Sequence, residues 1–210
     1  MNRKMISLTI IISFIFLIPC KGQGVNLNLF DAPTAEKYMP LKGEWEFHQV
    51  IKSNNVIINR FTLKYSSLPK REMNGIEVIP LKCIKYIDRQ KDIILYFYSI
   101  TPKAVIYYAE QKLDEVEPKV INGIMLKNPI KKGQSWDSGV VSKSIESVDE
   151  TVTVPAGTFN KCLKIKTIRR KGNKIIGEGI SWYAIDVGHI KSIYTIPGKK
   201  IITTLISFKK

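Results

Sequence analysis

The chain has 210 residues, 44% of them hydrophobic, with 33 Lys and Arg against 18 Asp and Glu for a formal charge of +15. Such a length builds one domain with a sizeable core, and the apolar content excludes a disordered chain. Two histidines and three cysteines leave little material for a metal site.

Taken in chain order, the first element is an export signal. Asn2-Arg3-Lys4 precede an apolar run from Ile6 to Ile18, interrupted by Ser7, Thr9 and Ser13. The run is too short to span a bilayer comfortably, and its basic start fits a secretory signal over residues 1–20. Its end, Leu17-Ile18-Pro19-Cys20, resembles a bacterial lipoprotein signal, which implies lipidation of Cys20 and a membrane anchor. Pro19 stands where such signals carry a small residue; the alternative is plain cleavage near Gly22 or Gly24. Removing Arg3 and Lys4 takes the charge from +15 to +13, which favours anionic envelope surfaces. Export argues against nucleic acid as the partner.

Residues 21–37 read as a tether, polar and without periodicity, with Asp31-Ala32-Pro33 as a turn signal. One domain is expected over 38–210. Ile57, Asn59, Phe61, Leu63 and Tyr65 share one parity and Arg60, Thr62 and Lys64 the other, the pattern of a half-buried strand. Ile93 to Ile100 is apolar and aromatic on both parities, as in the middle of a sheet, and Ala104 to Tyr108 follows. The segment Ala109 to Val116 contains good helix formers and is the best helix candidate, or else a turn insertion.

The last third reads as five strands: Ile145–Val154, Phe159–Arg169, Ile175–Ala184, His189–Ile196 and Lys200–Phe208. Gly, Pro or Asn turns separate them, and the short spacing predicts an antiparallel meander. The fold class is therefore all-β: a curved antiparallel sheet or incomplete β-barrel of meander hairpins, with at most one or two short helices. Pro40 to Trp45 is echoed by Pro129 to Trp136, each a proline and a glycine turn before a tryptophan.

No residue set announces catalysis. There is no Gly-x-Ser-x-Gly elbow, neither strand cysteine neighbours a histidine, and no metal-ligand spacing occurs. No cofactor, metal or catalytic residue is assigned, and His48 and His189 are read as solvated or edge residues. Cys83 and Cys162 could form one disulfide or remain two buried thiols. Tyr96, Tyr98, Tyr107, Trp182 and Tyr183 could line an apolar cavity in a curved sheet, or simply fill a core. Lys161, Lys164, Lys166, Arg169, Arg170, Lys171 and Lys174 crowd one hairpin. They are either a solvated face or a contact for an anionic surface.

Val154-Pro155-Ala156-Gly157-Thr158-Phe159, then Cys162-Leu163-Lys164-Ile165, Trp182-Tyr183-Ala184 and Val187-Gly188-His189-Ile190-Lys191, resemble motifs of the TapB-like family of bacterial envelope proteins of unknown function. Pro129 to Trp136 resembles the strand that opens that family's motif region. Ile185-Asp186 departs from the proline and glycine usual there. The resemblance implies an exported curved sheet and brings no activity. Pro155, Gly157, Phe159 and Gly188 read as turn and re-entry residues that specify fold.

The expected function is a non-catalytic, lipid-anchored or periplasmic protein that binds an amphiphilic small molecule or an envelope protein. The alternatives are an assembly protein pairing through a sheet edge and, more weakly, a polysaccharide hydrolase, which needs two facing carboxylates in a cleft.

Overall fold

The computed structural model describes residues 33–87 and 90–210. The export signal and Cys20 lie outside the described residues. The described elements are α1 (Ala35–Tyr38), β1 (Glu44–Ser53), β2 (Val56–Ser67), β3 (Arg71–Met73), β4 (Ile76–Ile87), β5 (Gln90–Thr101) and β6 (Ala104–Lys112). They continue with β7 (Lys119–Lys127), β8 (Ser135–Asp137), β9 (Val141–Val154), β10 (Gly157–Lys171), β11 (Lys174–Ala184), β12 (Gly188–Ile196) and β13 (Lys199–Lys209).

Twelve strands form one antiparallel path in the order β7-β6-β5-β4-β2-β1-β13-β12-β11-β10-β9-β8, rolled into a nearly closed barrel. Only β3 lies off the path, paired with β4. Hairpins join most neighbours, so the turns alternate between two ends. The tip end carries the β1–β2, β4–β5, β6–β7, β8–β9, β10–β11 and β12–β13 turns; the base carries the β5–β6, β9–β10 and β11–β12 turns.

The wall follows period two. On β10, Leu163 and Ile165 are buried while Lys164 and Lys166 face outward, and the register sets Ile165 against the buried Ile145 of β9. On β2 only Phe61, Leu63 and Tyr65 use the apolar parity; Ile57 and Asn59 are exposed because the hairpin projects beyond the core. β5 is apolar on both parities because it is covered on both sides. Tyr98 faces the interior, while Phe97 joins Val78, Tyr108 and Ala109 in a small outer cluster flanked by Met73 of β3.

The segment Ala109 to Val116 is not helical: β6 runs to Lys112 and turns. Ala109 pairs with Phe97 on one side and Val120 on the other, and two ladders outweigh a helix preference of tenths of a kcal/mol per residue.

The base is sealed by the chain that precedes β1, including the last residues of the segment read from sequence as tether. Ala35, Tyr38 and Leu41 are buried, so packing begins before residue 38. The Ala35 amide donates to Asn128 Oδ1 at 2.8 Å, the Asp186 amide to the Lys37 carbonyl at 2.7 Å, and the Tyr38 hydroxyl to the Lys161 carbonyl at 3.3 Å. The Pro155–Gly157 corner bends across the same end, where the Ala156 amide reaches the Leu205 carbonyl at 3.3 Å. Gly157 takes φ +139° at this corner, and Phe159 re-enters against Phe208 with ring centroids 6.1 Å apart. At the next corner Gly188 takes φ +95°, a conformation that residues with side chains rarely adopt, beside Pro40.

Between β7 and β8 the barrel closes through side chains. The Trp136 indole and the Lys143 ammonium both donate to the Ile124 carbonyl at 3.2 Å, and Lys143 also reaches the Met125 carbonyl at 3.4 Å. The Ile124 amide donates to Ser138 Oγ at 3.4 Å. Edge groups of β7 that lack a strand partner are thus satisfied.

Candidate functional site

Above the sealed base lies a cavity of about 270 Å³. Its floor is the chain segment Met39, Pro40 and Leu41, and its walls include Phe47, Leu63, Leu81, Met125 and Val187. Tyr98, Tyr183 and His189 add rings, and no Asp or Glu lines it. Two polar side chains, Gln49 and Thr203, stand together on the paired strands β1 and β13; Gln49 Nε2 donates to Thr203 Oγ1 at 3.0 Å.

The rings form a belt inside the barrel. Tyr183 contacts His189 at 5.5 Å between centroids, His189 contacts Phe47 at 5.4 Å, and Phe47 meets Tyr65 edge-on at 5.6 Å. Tyr65 stacks on Tyr96 at 6.2 Å, Tyr96 meets Tyr107 at 5.9 Å, and Tyr107 meets Tyr98 at 5.5 Å. Period two on β5 and β11 aims Tyr96, Tyr98 and Tyr183 inward. Such pairs add about 0.5–1.5 kcal/mol each beyond area burial and hold the wall in one shape.

Burial sets the electrostatics. It raises the Tyr183 and Tyr96 hydroxyls to about 12 and Tyr98 further still, so all remain protonated donors. Tyr107 is raised by burial and by donating to Glu110. Desolvation lowers His189 to about 4, opposed by a backbone hydrogen bond, so its ring is neutral at neutral pH. Among the described residues no buried side-chain polar atom lacks a partner. The cavity is thus neutral and apolar with one polar corner.

Four of the five aromatic residues singled out from sequence belong to the belt. Tyr98 and Tyr183 line the cavity; Tyr96 and Tyr107 continue the belt beyond its lining. Trp182 is a correction: alternation turns it to the opposite face from Tyr183, where the Lys191 ammonium lies 5.5 Å from its ring centroid. His189 is also corrected from a solvated or edge residue to an interior one, because the Gly188 turn starts β12 with this side chain facing the cavity. Sequence reading missed Phe47, Gln49 and Thr203. The alternation Trp45, Phe47, Gln49 was the available signal.

The basic hairpin does not form one patch. Lys161 and Lys171 lie ten positions apart on β10, about 33 Å by strand rise. Lys164 is paired with Glu150 at 3.6 Å and Glu146 at 3.9 Å, and Lys166 shares a surface groove with Glu146 and Glu178. Arg169, Arg170, Lys171 and Lys174 remain together at the tip end.

Cys83 and Cys162 are both free and buried, not bridged. They sit on β4 and β10, and Cys162 Sγ donates to the Phe159 carbonyl at 3.2 Å. Burial raises the Cys162 thiol to about 11, which keeps it unreactive. Among the described residues no group of three or more His, Cys, Asp or Glu side chains is placed to hold a metal ion.

No family model matches the chain, and no curated protein matches it. Two solved structures are similar. One is a protein provisionally described as exported, with a YmcC-like fold, from Bacteroides fragilis: 15% identity, 80% of this chain and 96% of that chain covered, TM-score 0.43. The other is provisionally described as a lipoprotein, from Parabacteroides distasonis: 14% identity, 80% and 95% covered, TM-score 0.38.

Proposed function

We propose that the protein is a non-catalytic, exported binding protein that holds the apolar part of an amphiphile inside the barrel. The observation that carries this reading is the cavity itself, about 270 Å³ of apolar space with no lining carboxylate and a single Gln49–Thr203 polar corner. Its volume lies near the lower end of ordinary ligand sites, which run from about 300 Å³ upward. It therefore accepts one ring system or a stretch of acyl chain rather than a whole lipid. A neutral His189 and protonated tyrosines favour an uncharged buried moiety. Any charged group of the ligand stays outside.

The location belongs to the same proposal. The signal-like first twenty residues, Cys20 as the lipidation site and the motifs resembling the TapB-like family support an envelope protein tethered to a membrane. A filled barrel with an exposed edge would have favoured edge pairing instead. Here the β7 edge is met by Trp136 and Lys143. The hydrolase reading lacks the carboxylate pair it needs in this cavity.

Native mass measurement of the full chain extracted from its own envelope tests the reading. A non-covalent mass that is lost on denaturation, and absent from Leu63→Trp, is the expected result. A clean native mass at every preparation would overturn it. The denatured mass separately reports acylation of Cys20.

A further inference from the structure

We propose that the β1–β2, β12–β13 and β10–β11 hairpin tips form a surface that docks on an anionic lipid bilayer. This goes beyond the cavity reading, because it would hold for an empty barrel.

The apolar residues on the outside are distributed unevenly. Among the described residues, ten of the twelve exposed large hydrophobic side chains lie at the tip end: Val56, Ile57, Ile58 and Ile175 on the first and third of these tips, Leu113, Val116, Val120 and Ile121 on the β6–β7 tip, and Tyr86 and Val140 singly elsewhere, with Leu68 and Ile76 at the base. Scattered single exposures need no explanation, but a one-sided set marks an interaction surface. Val56, Ile57 and Ile58 open β2, and Ile175 opens β11; their exposures are 65%, 39%, 51% and 49%.

The charge on the same three tips has one sign. Lys52 and Arg60 flank the first tip, and Lys199 and Lys200 follow the second. Arg169, Arg170, Lys171 and Lys174 surround the third, and no Asp or Glu occurs in 50–60, 168–176 or 195–201. The strand order β2-β1-β13-β12-β11-β10 places the three tips side by side. The β6–β7 tip, which carries Asp114, Glu115 and Glu117, lies across the barrel.

Register sharpens the point. Lys52 stands directly opposite Lys200, and Lys171 opposite Lys174. Like charges in directly opposed positions destabilise a sheet. An anion between them reverses that penalty. Between the first two tips lies a groove of about 240 Å³ lined by Lys52, Asn54, Asn55, Lys199 and Lys200, with amide and ammonium donors for a phosphate oxygen. Aliphatic tips set beside lysines suit a bilayer interface: the methyl groups enter the acyl boundary and the ammonium groups reach the headgroup phosphates.

The test uses the full chain with Ile57→Trp, mixed with phosphatidylcholine vesicles that carry brominated acyl chains, with or without phosphatidylglycerol. Tryptophan quenching beyond wild type is expected with phosphatidylglycerol only, and is expected to vanish in high salt. Leu68→Trp, at the base, is expected to stay unquenched. Combining Lys52→Glu, Lys199→Glu and Lys200→Glu is expected to weaken vesicle binding roughly tenfold or more. Ile175→Trp repeats the measurement on a second tip, and circular dichroism checks that each variant keeps its β structure. Equal quenching at tip and base, equal quenching on both vesicle types, or none at either tip would overturn the proposal. So would binding to a soluble acidic polysaccharide without quenching by lipid.

Discussion

The Lys143 ammonium stands 3.2 Å from the Ile124 carbonyl, so a β9 side chain closes the gap that the main chain leaves beside β7. Lys143→Met leaves the Ile124 carbonyl to the Trp136 indole alone and takes the ammonium away from the Met125 carbonyl. A loss of about 1–3 kcal/mol is expected, with faster amide exchange in β7 than in β12. Desolvation lowers Lys143 to about 8, while an unfolded lysine titrates near 10.4. Between those values the unfolded chain binds more protons, so this residue makes stability rise with pH. The urea midpoint of the wild type should therefore climb relative to Lys143→Met from pH 8 to 10. Parallel midpoints would refute the assignment.

His189 sets an acid limb of the opposite window. Its folded value of about 4 lies below the ordinary value of about 6.5, so the unfolded chain takes up the proton first as the pH falls. Stability is full above about pH 6.5 and is lost towards pH 4, by about 3 kcal/mol from this one group. His189→Phe keeps a ring in the belt and removes the titration. Thermal melts at pH 7 and pH 4.5 should differ less in the variant than in the wild type.

The two tryptophans of the sequence echo do similar work at opposite places. Trp45 donates to the Val187 carbonyl at 2.7 Å at the base, and Trp136 to the Ile124 carbonyl at 3.2 Å at the seam. Phenylalanine at either position removes the donor. Because Lys143 still serves Ile124, Trp136→Phe is expected to cost less than Trp45→Phe, for which about 1–3 kcal/mol is expected. Denaturant melts of the two variants decide the order.

Gly179 leaves room for a neighbour. A methyl group there would meet the Tyr194 ring and stand 2.8 Å from the Ile193 carbonyl oxygen, a backbone atom with little room to yield. Gly179→Ala is expected to destabilise by about 1–3 kcal/mol through overpacking. Gly172→Ala, where nothing lies within 4 Å but φ is +58°, isolates the cost of backbone strain for comparison.

Much of this architecture was legible in the residues. Leu163 and Ile165 against Lys164 and Lys166 marked the two faces of β10, and Gly, Pro and Asn turns marked the five strands of the last third. The doubly apolar 93–100 stretch pointed to a strand covered on both sides. Other features left no local pattern. A four-residue helix is too short to show a period, so the sealing role of Ala35 and Tyr38 was hidden among polar residues. Lys143 looks like any surface lysine until the curvature of the sheet brings β9 beside β7. Trp182 and Tyr183 are adjacent aromatics of equal promise, and only alternation says that one of them faces away. The halves of the cavity's polar corner, Gln49 and Thr203, are 154 positions apart and meet through the β1–β13 ladder.

The described chain enters the barrel at the sealed end, and that entry point turns the molecule into a spacer. The longest wall strand, β10, has 15 residues and spans at most about 50 Å. One end of the wall is closed by the chain's own entry and the other carries the hairpin tips. The height of the barrel therefore fixes the distance between whatever meets its base and whatever meets its tips.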